Sequence, residues 1–317
     1  MKKSKAAQKL WDAWCIASIV GIWPRFIEPR QLSVSKITLP VTGLAKQLSG
    51  TKILHFSDLH ISEHTTKKFL DKILRNVLEI KPDLVLFTGD FLCGSHLSNP
   101  SMLCKFLNRF SAPLGCFAIL GNHDYEARVE LNAEGEYDTC QNDASEIVRG
   151  FQLLFTRQKF LNKTTERAKR LKEHSELVQV IKKTPFQLLH NQTHTLVEGL
   201  NIVGLGDLML GRCLPEQAFE KYEPRYPGVV LSHHPDSIEL LKNYPGEIIL
   251  SGHTHGGQVN LPWMWKKFTA LQNEDLKSGL VRIYDKWIHI SRGLGASFPF
   301  RWFSIPQITQ ITLENRP

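Results

Sequence analysis

Aspartate, histidine and asparagine residues recur at the ends of short apolar runs in this 317-residue chain, and together they form a set suited to hard divalent cations. Lys52-Ile-Leu-His-Phe-Ser leads into Asp58 and His60, and Leu84-Val-Leu-Phe-Thr into Gly89 and Asp90. Cys116-Phe-Ala-Ile-Leu leads into Gly121, Asn122, His123 and Asp124. Further on, Asn201-Ile-Val-Gly-Leu precedes Asp207, Val229-Val-Leu-Ser precedes His233 and His234, and Ile248-Ile-Leu-Ser precedes Gly252, His253, Thr254 and His255.

Asp58 and His60, two residues apart after a strand, can turn to one side of a loop and hold one ion. Asp90 has two oxygens and a full charge to divide between two ions, whereas Asn122 offers a neutral oxygen that leaves an ion electrophilic. Gly252, Gly256 and Gly257 permit the sharp backbone path that splayed ligands at His253 and His255 require. Two ions about 3.5 to 4 Å apart clamp an in-line displacement, activate water and neutralise charge on phosphoryl oxygens. His123 is then expected to hydrogen-bond a phosphoryl oxygen or to protonate the leaving group. Asp124 is expected to support its loop and Asp207 to be structural. His55, His64, His96, His174, His190, His194 and His289 fall outside the motifs and read as ordinary histidines.

Runs of four to six Val, Ile and Leu residues bounded by Gly or Pro read as buried strands. Between them, Thr66 to Glu79 places Phe69, Ile73, Leu74 and Val77 on one helical face, and Pro100 to Phe110 does the same with Leu103, Phe106, Leu107 and Phe110. Strands alternating with helices predict an α/β sheet whose ligands gather at the carboxyl ends of the strands. From about 126 to 185 the strand rhythm stops. Ile147, Phe151, Leu154 and Phe155 follow helical spacing, as do Leu171, His174, Val178 and Ile181, which predicts a helical insertion. Its stripes either bury against each other and the core or form a cap for acyl chains.

The chain is 42% hydrophobic, enough for a full core, which excludes a disordered protein. Its net charge is +8, and Arg149 to Lys183 holds ten Lys and Arg against three Glu, so the excess sits on the insertion. A basic face there suits phosphate-rich partners, and Arg149 and Arg157 are candidate diphosphate contacts. The six cysteines lack the close pairing of a zinc ribbon or redox motif and read as reduced thiols. At the N-terminus Lys2, Lys3 and Lys5 precede an apolar run, Ala13 to Trp23. It is shorter than the about 20 residues that span a bilayer, and no small-residue cleavage site follows. Trp11, Trp14 and Trp23 favour a segment lying at the headgroup level, against the alternatives of docking on the core or a signal. Residues 1–45 are therefore expected to be an interfacial segment and linker, and 46–317 the catalytic domain.

The ordered set Asp-Leu-His, Gly-Asp, Gly-Asn-His-Asp, His-His-Pro and Gly-His-Thr-His-Gly-Gly, from about Lys52 to Leu313, resembles the calcineurin-like metallophosphoesterases. The resemblance implies a four-layer αββα sandwich and two divalent ions, expected to be manganese. It implies Asp58, His60, Asp90 and His255 as ligands of one ion and Asp90, Asn122, His233 and His253 as ligands of the other. The family pattern His-x-Pro selects His233 over His234. Ile27-Glu-Pro-Arg, the Gln258 that ends His-Thr-His-Gly-Gly-Gln, and Ser291-Arg-Gly-Leu-Gly resemble a membrane-associated bacterial branch that includes enzymes of lipid-linked phosphates. That likeness implies hydrolysis of the diphosphate of UDP-2,3-diacylglucosamine, a lipid A precursor, to UMP and 2,3-diacylglucosamine 1-phosphate. The expected location is peripheral, on the cytoplasmic face of the bacterial inner membrane. The aromatic tail Phe298, Phe300, Trp302 and Phe303 would suit such a substrate. Rival readings are a phosphodiesterase of another small phosphoester or phospholipid, a nuclease, and a non-enzymatic scaffold; nucleic acid is not the expected partner.

Overall fold

Strands that are apolar on both faces must be covered on both, and this requirement sets the layering. The computed structural model describes residues 5–140, 159–262 and 264–316. One six-stranded sheet contains β1 (Ser33–Thr42), β2 (Lys52–Phe56), β3 (Leu84–Phe87), β4 (Cys116–Ala118), β7 (Phe186–Leu188) and β14 (Gln307–Arg316), in the order β1-β14-β2-β3-β4-β7. A second six-stranded sheet contains β8 (Gln192–Leu196), β9 (Leu200–Gly204), β10 (Gly228–Leu231), β11 (Ile248–Ser251), β12 (Gly279–Ile283) and β13 (Lys286–Ile290), in the order β12-β13-β11-β10-β9-β8. Strands β2, β3, β4 and β7 are parallel, as are β9, β10, β11 and β13. All six sequence-predicted runs are among these strands, and their carboxyl ends lie at one edge of the pair of sheets.

Successive side chains of a strand point to opposite faces. Ile53, Leu86 and Phe117 therefore join Ile202, Val229 and Leu250 in the core between the sheets. Their neighbours Leu54, Phe56, Val85 and Phe87 face outward against α2 (Lys67–Ile80) and α3 (Pro100–Leu107), which contribute Ile73, Leu103 and Phe106. On the far side, Val203, Val230, Ile249 and Ile288 are covered by Ala218 of α6 (Pro215–Ala218) and by Ile238 and Leu241 of α7 (Ile238–Leu241). The layers are thus α, β, β, α, as the resemblance implied. Thr66 caps α2 by accepting from Phe69 N, and Asn99 caps α3 by accepting from Met102 N, each supplying an acceptor to an orphan donor.

Several elements differ from the sequence expectation. The insertion is not purely helical: β5 (Val129–Leu131) and β6 (Tyr137–Thr139) pair as an antiparallel hairpin. These runs are too short to produce a period-two signal. Two short helices follow, α4 (Glu166–Lys169) and α5 (Ser175–Ile181). The latter buries Leu177, Val180 and Ile181 in place of the expected Leu171, His174 and Val178, because His174 is its cap, Nδ1 accepting from Leu177 N at 3.3 Å. The helix expected on Ile147 to Phe155 lies outside the described residues, together with Arg149 and Arg157. Strand β1 carries Pro40, which an edge strand tolerates.

The N-terminal segment begins as α1 (Lys5–Ala17) and continues as a π-helical stretch, Ser18–Ile27, in which Pro24 alone is buried. Trp11 is 58% exposed, Trp14 59% and Ile16 63%, so the segment does not lie along the core. Its foot is tied down: Arg25 Nη1 donates to Pro299 O at 2.7 Å, and Arg301 N donates to Pro24 O at 2.8 Å. No helix among the described residues is long and apolar enough to cross a membrane.

Candidate metal centre

The loops that follow β2 and β3 run side by side, with Asp58 N donating to Gly89 O at 2.9 Å and His60 N to Asp90 O at 3.1 Å. Gly89 has φ +93°, and a Cβ there would stand 2.5 Å from Gly121 N, so glycine lets the β3 and β4 loops touch. Asp124 then clamps the loops after β3 and β4 together. Its Oδ2 accepts from Asp90 N at 2.8 Å and Gly121 N at 3.0 Å, and its Oδ1 accepts from Leu92 N at 3.0 Å. Supporting the loop is thus what this carboxylate does.

All seven sequence-predicted ligand residues meet at this edge. His60 Nε2 lies 3.0 Å from His255 Nε2 and 3.4 Å from Asp90 Oδ2, and His255 Nε2 lies 3.5 Å from Asp58 Oδ1. His233 Nε2 lies 3.2 Å from Asp90 Oδ2, and Asn122 Oδ1 lies 3.1 Å from His253 Nδ1. Asp90 therefore stands between the two halves of the set. Asp58, His60 and His255 form one cluster of possible ligand atoms, and Asp58, Asp90 and His233 another. Asp58 and His255 also belong to backbone that is otherwise rare: Asp58, His60, Asp90, His253 and His255 have φ of 51°, 41°, 61°, 68° and 51°. Left-handed non-glycine residues cost of order 1–3 kcal/mol each where the surroundings hold them, and they cluster at functional sites.

The outer partners orient these rings. His60 Nδ1 donates to Leu92 O at 2.8 Å and His233 Nδ1 donates to Thr88 O at 2.7 Å, which turns both Nε2 atoms toward the carboxylates. Asn122 Nδ2 donates to Val129 O at 3.2 Å, so its Oδ1 turns inward. His123 Nδ1 accepts from Gly94 N at 2.9 Å, which puts the proton of the neutral ring on Nε2. Asn122, His123, Val129, Met209 and Phe268 line a cavity of about 100 Å³ over the centre. His234, buried, is not part of the cluster; its Nε2 donates to Ala270 O at 2.9 Å and its ring lies 4.3 Å from that of His253. Asp207 Oδ1 accepts from Met209 N and Leu210 N, a structural turn.

The buried carboxylates and imidazoles shift one another's charge. Burial pushes the Asp58 carboxyl up, with Asp90 adding to the shift. Burial also opposes ionisation of Asp90, but the charge of His233, 3.2 Å away, outweighs it and holds Asp90 well below the usual carboxylate range. His233 responds in kind: burial disfavours its charge, yet Asp90 and Asp58 raise it to about 10. His233 Nε2 nevertheless has no hydrogen-bond partner of good geometry among the described residues. A buried, orphaned imidazole nitrogen aimed at a buried carboxylate, within a set of oxygen and nitrogen donors, fits divalent ions.

Two residues escaped sequence reasoning. Arg301 is fully buried, and its Nη2 lies 3.1 Å from His255 Nδ1 and donates to Arg292 O at 2.8 Å. Glu28, 1% exposed, accepts from Phe303 N and Trp23 Nε1, each at 3.0 Å, and from Ser304 N. Ile27-Glu-Pro-Arg and Ser291-Arg-Gly-Leu-Gly were visible as motifs, but only the fold brings Glu28 beneath the loop that carries Arg301.

Fold and site together define a phosphoesterase. The profile of the calcineurin-like phosphoesterase family matches residues 51–257, and the chain belongs to that family. It is 38% identical over 303 residues, 92% of each chain, to the UDP-2,3-diacylglucosamine pyrophosphatase LpxG of Chlamydia muridarum. It is 37% identical over 302 residues, again 92% of each chain, to the same enzyme of Chlamydia trachomatis. The metallophosphoesterase YkuE of Bacillus subtilis is 27% identical over 92% of this chain and 89% of its own.

The His233 arrangement predicts a pH dependence. Its folded pKa of about 10 exceeds the ordinary imidazole value, so its stabilising charge is complete below about pH 6.5 and lost as pH rises through 10. For protein stripped with a chelator, thermal melts are expected to show stability falling from pH 7 to 9 by up to about 1.4 kcal/mol per unit. His233→Gln should lack that slope, and saturating manganese should flatten it in the wild type. A slope shared by wild type and variant would show that His233 is not the neutralising group.

Proposed function

We propose that the chain hydrolyses the diphosphate of UDP-2,3-diacylglucosamine to UMP and 2,3-diacylglucosamine 1-phosphate, with two manganese ions, at the cytoplasmic face of a bacterial inner membrane. The observation that carries this reading is the pairing of a phosphoesterase centre with an exposed, aromatic N-terminal segment, in a chain 38% identical to a pyrophosphatase of that substrate.

Asp58, His60, Asp90 and His255 would hold one ion, and Asp90, Asn122, His233 and His253 the other. Ions bound there supply Lewis acidity, polarising the phosphoryl group and easing loss of a proton from water. Asp90, between the halves, keeps both in register. Leu92 O and Thr88 O fix the tautomers of His60 and His233, so that little reorganisation accompanies binding. His123 faces the cavity with its Nε2 proton and donates it to a phosphoryl oxygen or to the leaving phosphate. The apolar face of the segment, with Leu10, Trp11, Trp14 and Ile19 exposed, supports a position at the headgroup level, where acyl chains of the substrate are reached without leaving the bilayer.

Purified protein in mild detergent with manganese is expected to release UMP from UDP-2,3-diacylglucosamine, and His123→Ala should lower kcat by about 10²-fold or more. Cleavage of bis-p-nitrophenyl phosphate alone would discard the lipid substrate and keep the metal site. Trp11→Glu/Trp14→Glu is expected to weaken co-sedimentation with anionic vesicles about tenfold or more; unchanged binding would remove the segment from the membrane.

A further inference from the structure

We propose that a groove under the foot of the N-terminal segment receives the acylated sugar phosphate half of the substrate, an inference that rests on the hydrolase reading above. The groove is a cavity of about 360 Å³ that starts at Leu59 and His60, on the loop carrying Asp58, and ends between Arg25, Phe26 and Arg30. Its volume falls within the range of small-molecule sites.

His60 is the wall shared with the metal centre, since its Nε2 lies 3.4 Å from Asp90 Oδ2 and 3.0 Å from His255 Nε2. The adjacent residues Ala296 and Ser297 line this groove and the cavity over His123 respectively. The centre thus lies between two spaces of unlike character. A diphosphate cut there separates into halves that are also unlike: a nucleoside monophosphate and a phosphate attached to a lipid. The cavity over the centre sets Asn122, His123 and Glu130 beside Val129, Met209 and Phe268, whereas the groove, the more apolar of the two, sets Leu59, Phe69, Leu294 and Pro299 beside Arg25 and Arg30.

Charge points the same way. Arg25 and Arg30 line the groove, complementary to a sugar phosphate, with Glu63 the carboxylate of the lining. Arg25 is held in place by its bond to Pro299 O at 2.7 Å and lies over the Phe26 ring at 5.5 Å. Phe26 is 50% exposed and Trp23 41%, so acyl chains leaving the groove meet the apolar face of the segment rather than water. The two arginines therefore stand where a lipid headgroup passes from bilayer to metal.

The full chain in mild detergent with manganese is assayed on UDP-2,3-diacylglucosamine and on bis-p-nitrophenyl phosphate, a diester too small to need the groove. For Arg25→Gln/Arg30→Gln, and for Ser62→Trp, which fills the groove, the ratio of kcat/KM on the lipid to that on the diester is expected to fall about tenfold, through KM. An unchanged ratio in both variants, including a parallel loss on both substrates, overturns the subsite and leaves the hydrolase reading standing. A wild type that cleaves only the diester overturns the lipid pyrophosphatase reading instead. Dioctanoyl phosphatidic acid then decides the subsite: it is expected to inhibit diester cleavage about tenfold more tightly in the wild type than in either variant. Equal or absent inhibition overturns it.

Discussion

Two aspartates removed from water set the terms for the rest of this molecule. Asp58 is 0% and Asp90 2% exposed, at the one edge where the parallel strands of both sheets end. A carboxylate buried without a partner costs several kcal/mol or gives up its charge. Here the neighbours divide the problem: Asp58 is pushed up by burial, while Asp90 keeps its charge beside His233. Burial pushes Asp124 up as well, and three backbone amides from two loops, those of Asp90, Leu92 and Gly121, hold it in place. The left-handed conformations at Asp58, His60, Asp90, His253 and His255 persist because these bonds over-determine them. The divalent ions that the family implies would add positive charge to that arrangement.

Much of the site was legible in the sequence for a physical reason. Buried parallel strands must be apolar throughout, so each run announces its own end, and the residues after it gather at one edge of the sheets. Asp58, Asp90, Asn122, His233 and His253 could be found that way. Arg301 and Glu28 could not, since a buried arginine and a buried glutamate are held by fold-specific backbone carbonyls and amides that no local spacing encodes. The hairpin of Val129–Leu131 and Tyr137–Thr139 was missed because three-residue strands carry no period, and Val129 O is what orients Asn122. His174 was read as a helix-face residue and proved to be a cap, the usual error at element boundaries.

The N-terminal segment and the metal centre are mechanically joined. Arg301 N meets Pro24 O, its guanidinium meets His255 Nδ1, and Ser304, whose amide is held by Glu28, donates its hydroxyl to His255 O. The loop from Gly293 to Ser304 is thus shared between the segment that faces the surroundings and a residue of the centre.

Metal stoichiometry tests the central claim most directly. After dialysis against manganese, elemental analysis should find two ions per wild-type chain and no more than one in Asp90→Asn, because Asp90 Oδ2 lies 3.4 Å from His60 Nε2 in one half of the set and 3.2 Å from His233 Nε2 in the other. Two ions retained by Asp90→Asn, or fewer than two in the wild type, would contradict an account in which this buried carboxylate organises a dinuclear centre.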